Sequence, residues 1–309
     1  MTRAIKRGER FAFAEGQALR EEDLNEEKTE WLIPDLLVKN SITMWYSKPS
    51  QGKTWFSYAV AKKILCSTPP PHRLFYCDFD NGKRQLKERN VHKELLPHEN
   101  FYYLHKGKVE ATTEEFIARI DKECYGQHFK ECVFVFDSTR DFVDNIHNDM
   151  QAKRFMQIMK NIREAGGTVI LIHHTSKSGR VIDGSGEFTK STDNAFELKQ
   201  TGKTPGKLHY LLKVTNDRDS VKECAFTVNL KTLDLGELDP VMATMTTEDK
   251  AAVQKIIDAL KEKEMSQTEV IAVLGHDRTH RPSRELLQKY TGVFWNAQKR
   301  GKPIYYTTI

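Results

Sequence analysis

Apolar and polar positions alternate between short continuous apolar runs and longer stretches of helical period. Ile42, Met44, Trp45 and Tyr46 form one such run, followed by a polar turn that ends in Gly52-Lys53-Thr54. Phe56, Ala59, Val60 and Ile64 then recur on one face, the 3.6-residue period of a helix. Leu74-Phe75-Tyr76-Cys77 predicts a second buried strand, running into Asp78-Phe79-Asp80-Asn81. Residues 82–96 read as a basic helix, 101–104 as a short strand, and 113–124 as an amphipathic helix with Phe116, Ile117 and Ile120 inward. Cys132-Val133-Phe134-Val135-Phe136-Asp137 is continuously apolar and ends in a carboxylate, the clearest buried strand in the chain. A helix over 148–165, a turn at Gly166-Gly167 and a strand over 168–172 follow, the last running into His173-His174-Thr175. Strands alternating with helices predict an α/β fold with a mostly parallel, twisted sheet and right-handed crossovers. Such sheets bind ligands at the carboxyl ends of their strands, where all these polar residues fall.

Residues 175–192 are rich in Gly, Ser and Lys, a long loop for a compact domain, which signals function or disorder. Segments 194–198, 208–214 and 224–229 predict antiparallel strands that close the sheet. Residues 1–30 form a charged N-terminal arm with Phe11, Phe13 and Leu19 as its anchors, either a mobile tail or an arm packed on a neighbouring subunit. The α/β core then spans 31–239, a linker 240–247, and a small C-terminal unit 248–309. In that unit, helices over 250–263, 266–274 and 283–290 precede a hairpin through Val293-Phe294-Trp295 and Ile304-Tyr305-Tyr306, a winged helix-turn-helix outline.

The chain has 309 residues, room for one large and one small unit. No apolar run spans a bilayer and the N-terminus lacks a signal-peptide apolar region, which points to the cytoplasm of a cell or an infected cell with no membrane partner. Five cysteines show neither C-x-x-C pairs nor zinc spacing, the usage of reduced thiols in a reducing compartment. The net charge of +5 fits a nucleic-acid partner without requiring one.

The chemistry concentrates in Ser47-Lys48-Pro49-Ser50-Gln51-Gly52-Lys53-Thr54, which follows G-x-x-x-x-G-K-[ST] except for Ser47 at its first position. A loop entering a helix presents unpaired N–H groups and the positive end of the helix dipole to phosphate. Ser47, Ser50, Gln51 and Gly52 shape that cradle, Lys53 reaches the β- and γ-phosphates, and the Thr54 hydroxyl serves Mg²⁺. Asp137, at the end of its apolar strand, has the Walker B placement that orders water around Mg²⁺.

Taken in order, these pieces resemble the RecA-type hexameric ATPases, most closely the RepA-like and DnaB-like replicative helicases, over about residues 30–235. The resemblance rests on Trp31-Leu32-Ile33-Pro34, the GKT loop, Asp78-Phe79-Asp80-Asn81, Asp137-Ser138, and Ile172-His173-His174-Thr175 with Lys177 close behind. Gly184-Ser185 before Asp193, and Asn216-Asp217-Arg218, complete it. It implies a RecA-like P-loop core using ATP and Mg²⁺. It also implies that Asp80 polarises the attacking water, His174 senses the γ-phosphate, and Arg218 reaches a neighbour's site as an arginine finger. Asp80 is one methylene shorter than the family's usual Glu, and Asn216 stands where a Lys is frequent. Lys177, Arg180 and Lys190 match a central-channel DNA loop, with 139–150 as the other candidate. In the C-terminal unit Arg281, Arg284 and Lys289 lie at the third helix, and Lys299, Arg300 and Lys302 tip the hairpin, for DNA or protein docking.

The implied function is an ATP-dependent helicase or translocase on single-stranded DNA in plasmid- or phage-type replication. It would act as a homo-hexamer or other ring, with a primase or other replication proteins as further partners. An ATP-binding accessory factor with little turnover, such as a helicase loader or recombination mediator, is the alternative that Ser47 and Asp80 favour. An initiator reading duplex DNA through the C-terminal unit is the third.

Overall fold

The computed structural model describes residues 18–21, 29–176 and 181–309. Most of the N-terminal arm, and the tip of the loop carrying Lys177 and Arg180, lie outside the described residues. A short antiparallel pair, β1 (Trp31–Ile33) and β2 (Leu37–Val38), packs Ile33 and Leu37 into the core. Then follow β3 (Ile42–Ser47), α1 (Lys53–Leu65), β4 (Arg73–Asp78), α2 (Lys83–Glu88), α3 (Val91–Glu94) and β5 (Phe101–His105). The chain continues through α4 (Thr113–Lys122), β6 (Cys132–Asp137), α5 (Asp149–Glu164), β7 (Thr168–His174) and α6 (Glu187–Ser191). Strands β8 (Asn194–Thr204), β9 (Lys207–Asn216), β10 (Cys224–Asn229) and β11 (Leu235–Leu238) complete one sheet.

Among the described residues that sheet has nine strands in the order β11-β10-β9-β8-β3-β7-β6-β4-β5. From β8 to β5 neighbours run parallel, while β9, β10 and β11 add an antiparallel flank. Continuous apolar runs suit β6 and β7 because both their faces are covered. Strand alternation splits β3: Trp45 packs toward α1, whereas Ile42, Met44 and Tyr46 pack on the opposite face, with α4 and α5.

Register brings the strand ends together. Ser47 lies opposite His174, Asp137 opposite Ile172, and Asp78 opposite Asp137. The carboxyl edge of β3, β7, β6 and β4 is therefore one shelf at the start of α1.

Several expectations need correction. The segment over 194–198 is no antiparallel closing strand: β8 pairs in parallel with β3 from Asn194 opposite Thr43, and only its other side meets antiparallel β9. The preceding crossover includes helix α6 and a bridge between Thr175 and Ile182, so 175–192 is only partly loop. The hairpin of β8 and β9 outruns β3 and overhangs the 47–54 turn. The basic helix over 82–96 breaks at Asn90, which takes a left-handed φ of 57°. The 240–247 stretch holds a helix, α7 (Pro240–Ala243), capped by the Asp239 side chain, and α8 (Thr247–Glu262) begins within it.

The C-terminal residues form α8, β12 (Met265–Ser266), α9 (Gln267–Val273), α10 (Arg281–Lys289), β13 (Trp295–Lys299) and β14 (Ile304–Thr308). The strands pair antiparallel in the order β12-β14-β13. Their own core gathers Val253, Ile256, Leu260, Ile271, Leu287, Tyr290 and Trp295. The Trp295 indole N–H donates to the Leu287 carbonyl at 3.0 Å, so its polar end is satisfied where it is buried. Among the described residues no helix is long and apolar enough to cross a membrane, and all five cysteines are free.

Candidate functional site

Lys53 opens α1 with its side chain turned back under the preceding loop. Its amine donates to the carbonyls of Ser47 at 3.1 Å and Lys48 at 3.2 Å, and meets His174 Nδ1 at 3.2 Å. Burial holds the Lys53 pKa down to about 8, with the charge of Asp137 acting in the opposite direction. His174 is pushed down to about 4, chiefly by burial and then by the Lys53 charge, so near neutrality it is an uncharged acceptor for that amine. Gly52 precedes Lys53 at φ +74°, and its carbonyl accepts from the Tyr210 hydroxyl on β9 at 3.0 Å. Gln51 accepts from the backbone N–H of Gln200 on β8 at 3.2 Å. The β8–β9 hairpin thus braces the loop from outside.

Two carboxylates face this loop from neighbouring strands. Asp137, at the end of β6, accepts from the Tyr76 hydroxyl at 2.8 Å and from Thr54. Burial and the adjacent Asp78 charge push its pKa up to about 7, against those two hydrogen bonds. A hydroxyl and a carboxylate on one wall are hard oxygen donors. They fit Mg²⁺, which takes few protein ligands and completes its shell with phosphate and water. Among the described residues no cluster of three His, Cys, Asp or Glu side chains forms a metal cage.

The end of β4 supplies the opposite wall. Asp80 is raised above the ordinary carboxylate range by partial burial, then by the charges of Asp141 and Asp78, while Arg89 and Arg140 oppose the shift. Arg89, just past α2, donates to Asn81 Oδ1 at 2.9 Å and lies over the Trp55 ring. These groups enclose a cleft of about 420 Å³ lined by Ser50, Gly52, Lys53, Thr54, Trp55, Asp80, Asn81, Arg89, Asp137 and His174.

Ser50, Gly52, Lys53, Thr54, Asp80, Asp137 and His174 therefore share one cleft. Ser47 and Gln51 hold the loop from behind, through Lys53 and Gln200. Arg218 is elsewhere. It bonds Asp193 Oδ1 at 3.4 Å and the Lys190 carbonyl at 2.9 Å, and Asp193 in turn accepts from the Ile42 N–H at the start of β3. That is the opposite end of the sheet from the cleft. Lys190 stands near it on α6, paired with Glu187 at 3.1 Å, and so does not belong to the tip of the long loop. Lys177 and Arg180 lie outside the described residues. Arg284 is tied to the Arg278 carbonyl, Arg300 to Glu264 and over the Tyr305 ring, and Lys299 is exposed at the end of β13.

Local pattern did not single out Arg89, Tyr76 or Trp55, and it placed Asn81 only as the last residue of Asp78-Phe79-Asp80-Asn81, with no role. The one available signal was Arg89 in an otherwise solvated basic helix, and helical period alone does not set it apart from Lys83, Arg84 or Lys87.

A GKT loop between a parallel strand and a helix, facing a strand-end carboxylate across a shared cleft, defines a P-loop ATPase core of the RecA-like kind. The chain belongs to the AAA domain family AAA_25, which matches residues 10–180. No curated protein matches the chain. Among solved structures it is similar to the flagellar accessory protein FlaH from Methanocaldococcus jannaschii. That likeness is 14% identical with a TM-score of 0.46, and covers 66% of this chain and 91% of that one.

Proposed function

We propose that this chain is an ATP-hydrolysing motor on single-stranded DNA in plasmid- or phage-type replication, working as a ring in the cytoplasm. The observation that carries the reading is the Lys53–His174 contact, because His174 is also wired to the long loop. Its carbonyl accepts from the Asp183 N–H at 3.0 Å, and the next residue, Thr175, bridges to Ile182. A change at the terminal phosphate is felt by Lys53 and His174 and passed along backbone hydrogen bonds to the segment bearing Lys177 and Arg180.

In the reaction Lys53 and the loop N–H groups hold the phosphates, and Thr54 and Asp137 hold Mg²⁺, which neutralises phosphate charge when bound. Asp80 orients and polarises the attacking water, and Arg89 takes up charge that develops on the transferred phosphoryl group. Water adds to the terminal phosphorus as its bond to the bridging oxygen breaks, leaving ADP and inorganic phosphate. Arg218, on the far edge, serves a neighbour's cleft in this reading. In this reading the C-terminal unit serves as a winged helix that docks DNA or a replication partner such as a primase.

A second reading, an ATP-binding accessory factor with little turnover, is favoured by Arg89 already supplying a cation to the cleft while Arg218 is held within its own chain by the Lys190 carbonyl and by Asp193, which it shares with Arg163. ATPase rates with and without single-stranded DNA, alongside strand displacement, separate the two. DNA-stimulated turnover, recovered on mixing Lys53→Ala with Arg218→Ala subunits, supports the motor. ATP binding without stimulated turnover supports the accessory factor.

A further inference from the structure

Asp78 is fully buried beneath the cleft and, among the described residues, makes no side-chain hydrogen bond to the phosphate loop, yet its carboxylate accepts five others. Its Oδ1 accepts from the backbone N–H of Asp80 at 3.0 Å and of Asn81 at 2.9 Å. Its Oδ2 accepts from the Asn81 side-chain amide at 2.9 Å, from the Tyr103 hydroxyl, and from the Tyr58 hydroxyl at 3.4 Å. Asn81 completes the chain by accepting from the Arg89 guanidinium at 2.9 Å, and its carbonyl accepts from His105 Nε2 at 2.9 Å. Gly107 N–H donates to His105 Nδ1, which leaves the proton on Nε2 for that bond.

We propose that Asp78 is a positioning residue that sets two cleft groups at once: the Asp80 carboxylate through the backbone turn, and the Arg89 guanidinium through Asn81. This rests on the ATPase reading above. One oxygen of Asp78 closes the turn that aims Asp80. The other orients the Asn81 amide so that its oxygen, not its nitrogen, faces Arg89. A neutral amide at position 78 keeps the first function and breaks the second. In Asp78→Asn the new N–H₂ meets the Asn81 N–H₂, donor against donor. Turning Asn81 over only moves the conflict to Arg89. The tyrosine hydroxyls rotate to accommodate either group, so the amide conflict is what remains.

That donor logic defines a reciprocal test in the full chain. Asn81→Asp alone sets two carboxylates against each other. Asp78→Asn with Asn81→Asp restores a donor-to-acceptor bond and keeps an acceptor for Arg89. Equilibrium affinity for ATPγS and for ADP, each with Mg²⁺, is measured beside kcat, KM and thermal melting. Each single variant is expected to lose about tenfold of the preference for ATPγS over ADP and about tenfold or more in kcat, with ADP affinity unchanged. The double variant should return to within about threefold of the parent on both readouts. Equal preference in all four proteins, or a folded double variant no better than the singles, overturns the assignment. If Asp78→Asn does not fold, Asn81→Ala carries the test, and an undiminished preference there overturns it as well. Failure of the parent to bind any nucleotide sinks the ATPase reading and this inference with it. Binding by the parent with unaffected variants sinks the role of Asp78 alone.

Discussion

The hydroxyl of Tyr210 on β9 donates to the carbonyl of Gly52, and a Cβ built on Gly52 would overlap that hydroxyl oxygen. Gly52 also sits at φ +74°, a backbone conformation that L side chains rarely adopt. Gly52→Ala therefore meets both strain and a clash, and should cost about 1–3 kcal/mol in urea unfolding while weakening nucleotide binding. Adding Tyr210→Phe removes the hydroxyl and should recover part of the loss, leaving the backbone share. An unchanged unfolding midpoint in Gly52→Ala would show that the hairpin does not brace the loop.

Lys53 is a buried cation whose hydrogen-bond partners among the described residues are two carbonyls, the Ser47 hydroxyl and a neutral imidazole, with no carboxylate among them. Lys53→Ala should abolish measurable nucleotide affinity, a loss on the order of a hundredfold or more, in calorimetric titration. Stability should fall little or even rise, since a poorly solvated charge is removed with it. A large drop in melting temperature together with retained affinity would contradict this.

Asp80 lines the cleft beside Arg89. Asp80→Asn should lower kcat by about a hundredfold and leave the affinity for ATP within about twofold, because water activation is lost but phosphate contacts are kept. Asp80→Glu extends the carboxylate by one methylene toward the phosphate and should raise kcat. Equal steady-state rates for the parent and Asp80→Asn would remove Asp80 from the mechanism.

His174 gives a pH signature. Its folded pKa is about 4, held there first by burial and then by Lys53. The unfolded chain, at the ordinary value of about 6.5, binds the proton first on acidification. The contribution is full above about pH 6.5 and is lost as the pH falls toward 4. Relative to His174→Gln, the parent should lose about 1 kcal/mol between pH 7.5 and 4.5 in urea unfolding, allowing for screening at a partly exposed ring. Parallel stability curves for the two proteins would refute it.

Asp137 gives a second pH signature, this time in ligand binding. Its pKa of about 7 means that near neutrality a proton competes with Mg²⁺ for the carboxylate. Affinity for Mg²⁺–nucleotide should therefore strengthen as the pH rises from 6 to 7.5, a range in which Lys53, held down to about 8, is still mostly charged, with proton release visible as a buffer-dependent heat in calorimetry. In Asp137→Asn that strengthening should be lost, leaving only the weakening that follows as Lys53 loses its charge toward pH 8.

By itself the sequence determined the loop between β3 and α1, the apolar strands β6 and β7, and the polar residues at their ends. These are short-range properties. Glycine before lysine, side-chain alternation and a helix start are set by covalent neighbours within one or two turns. The placing of Asp78 beside Asp137, with Tyr76 and Tyr103 beneath them, came only from strand order and register, which sum contacts between distant segments. Arg89 reads as one more solvated cation until the break at Asn90 and the Asn81 amide turn it into the cleft. The direction of β8 was decided the same way. Its local pattern fits either orientation, and the crossover through α6 fixes it, sending Asp193, Lys190 and Arg218 to the edge of the sheet away from the phosphate loop.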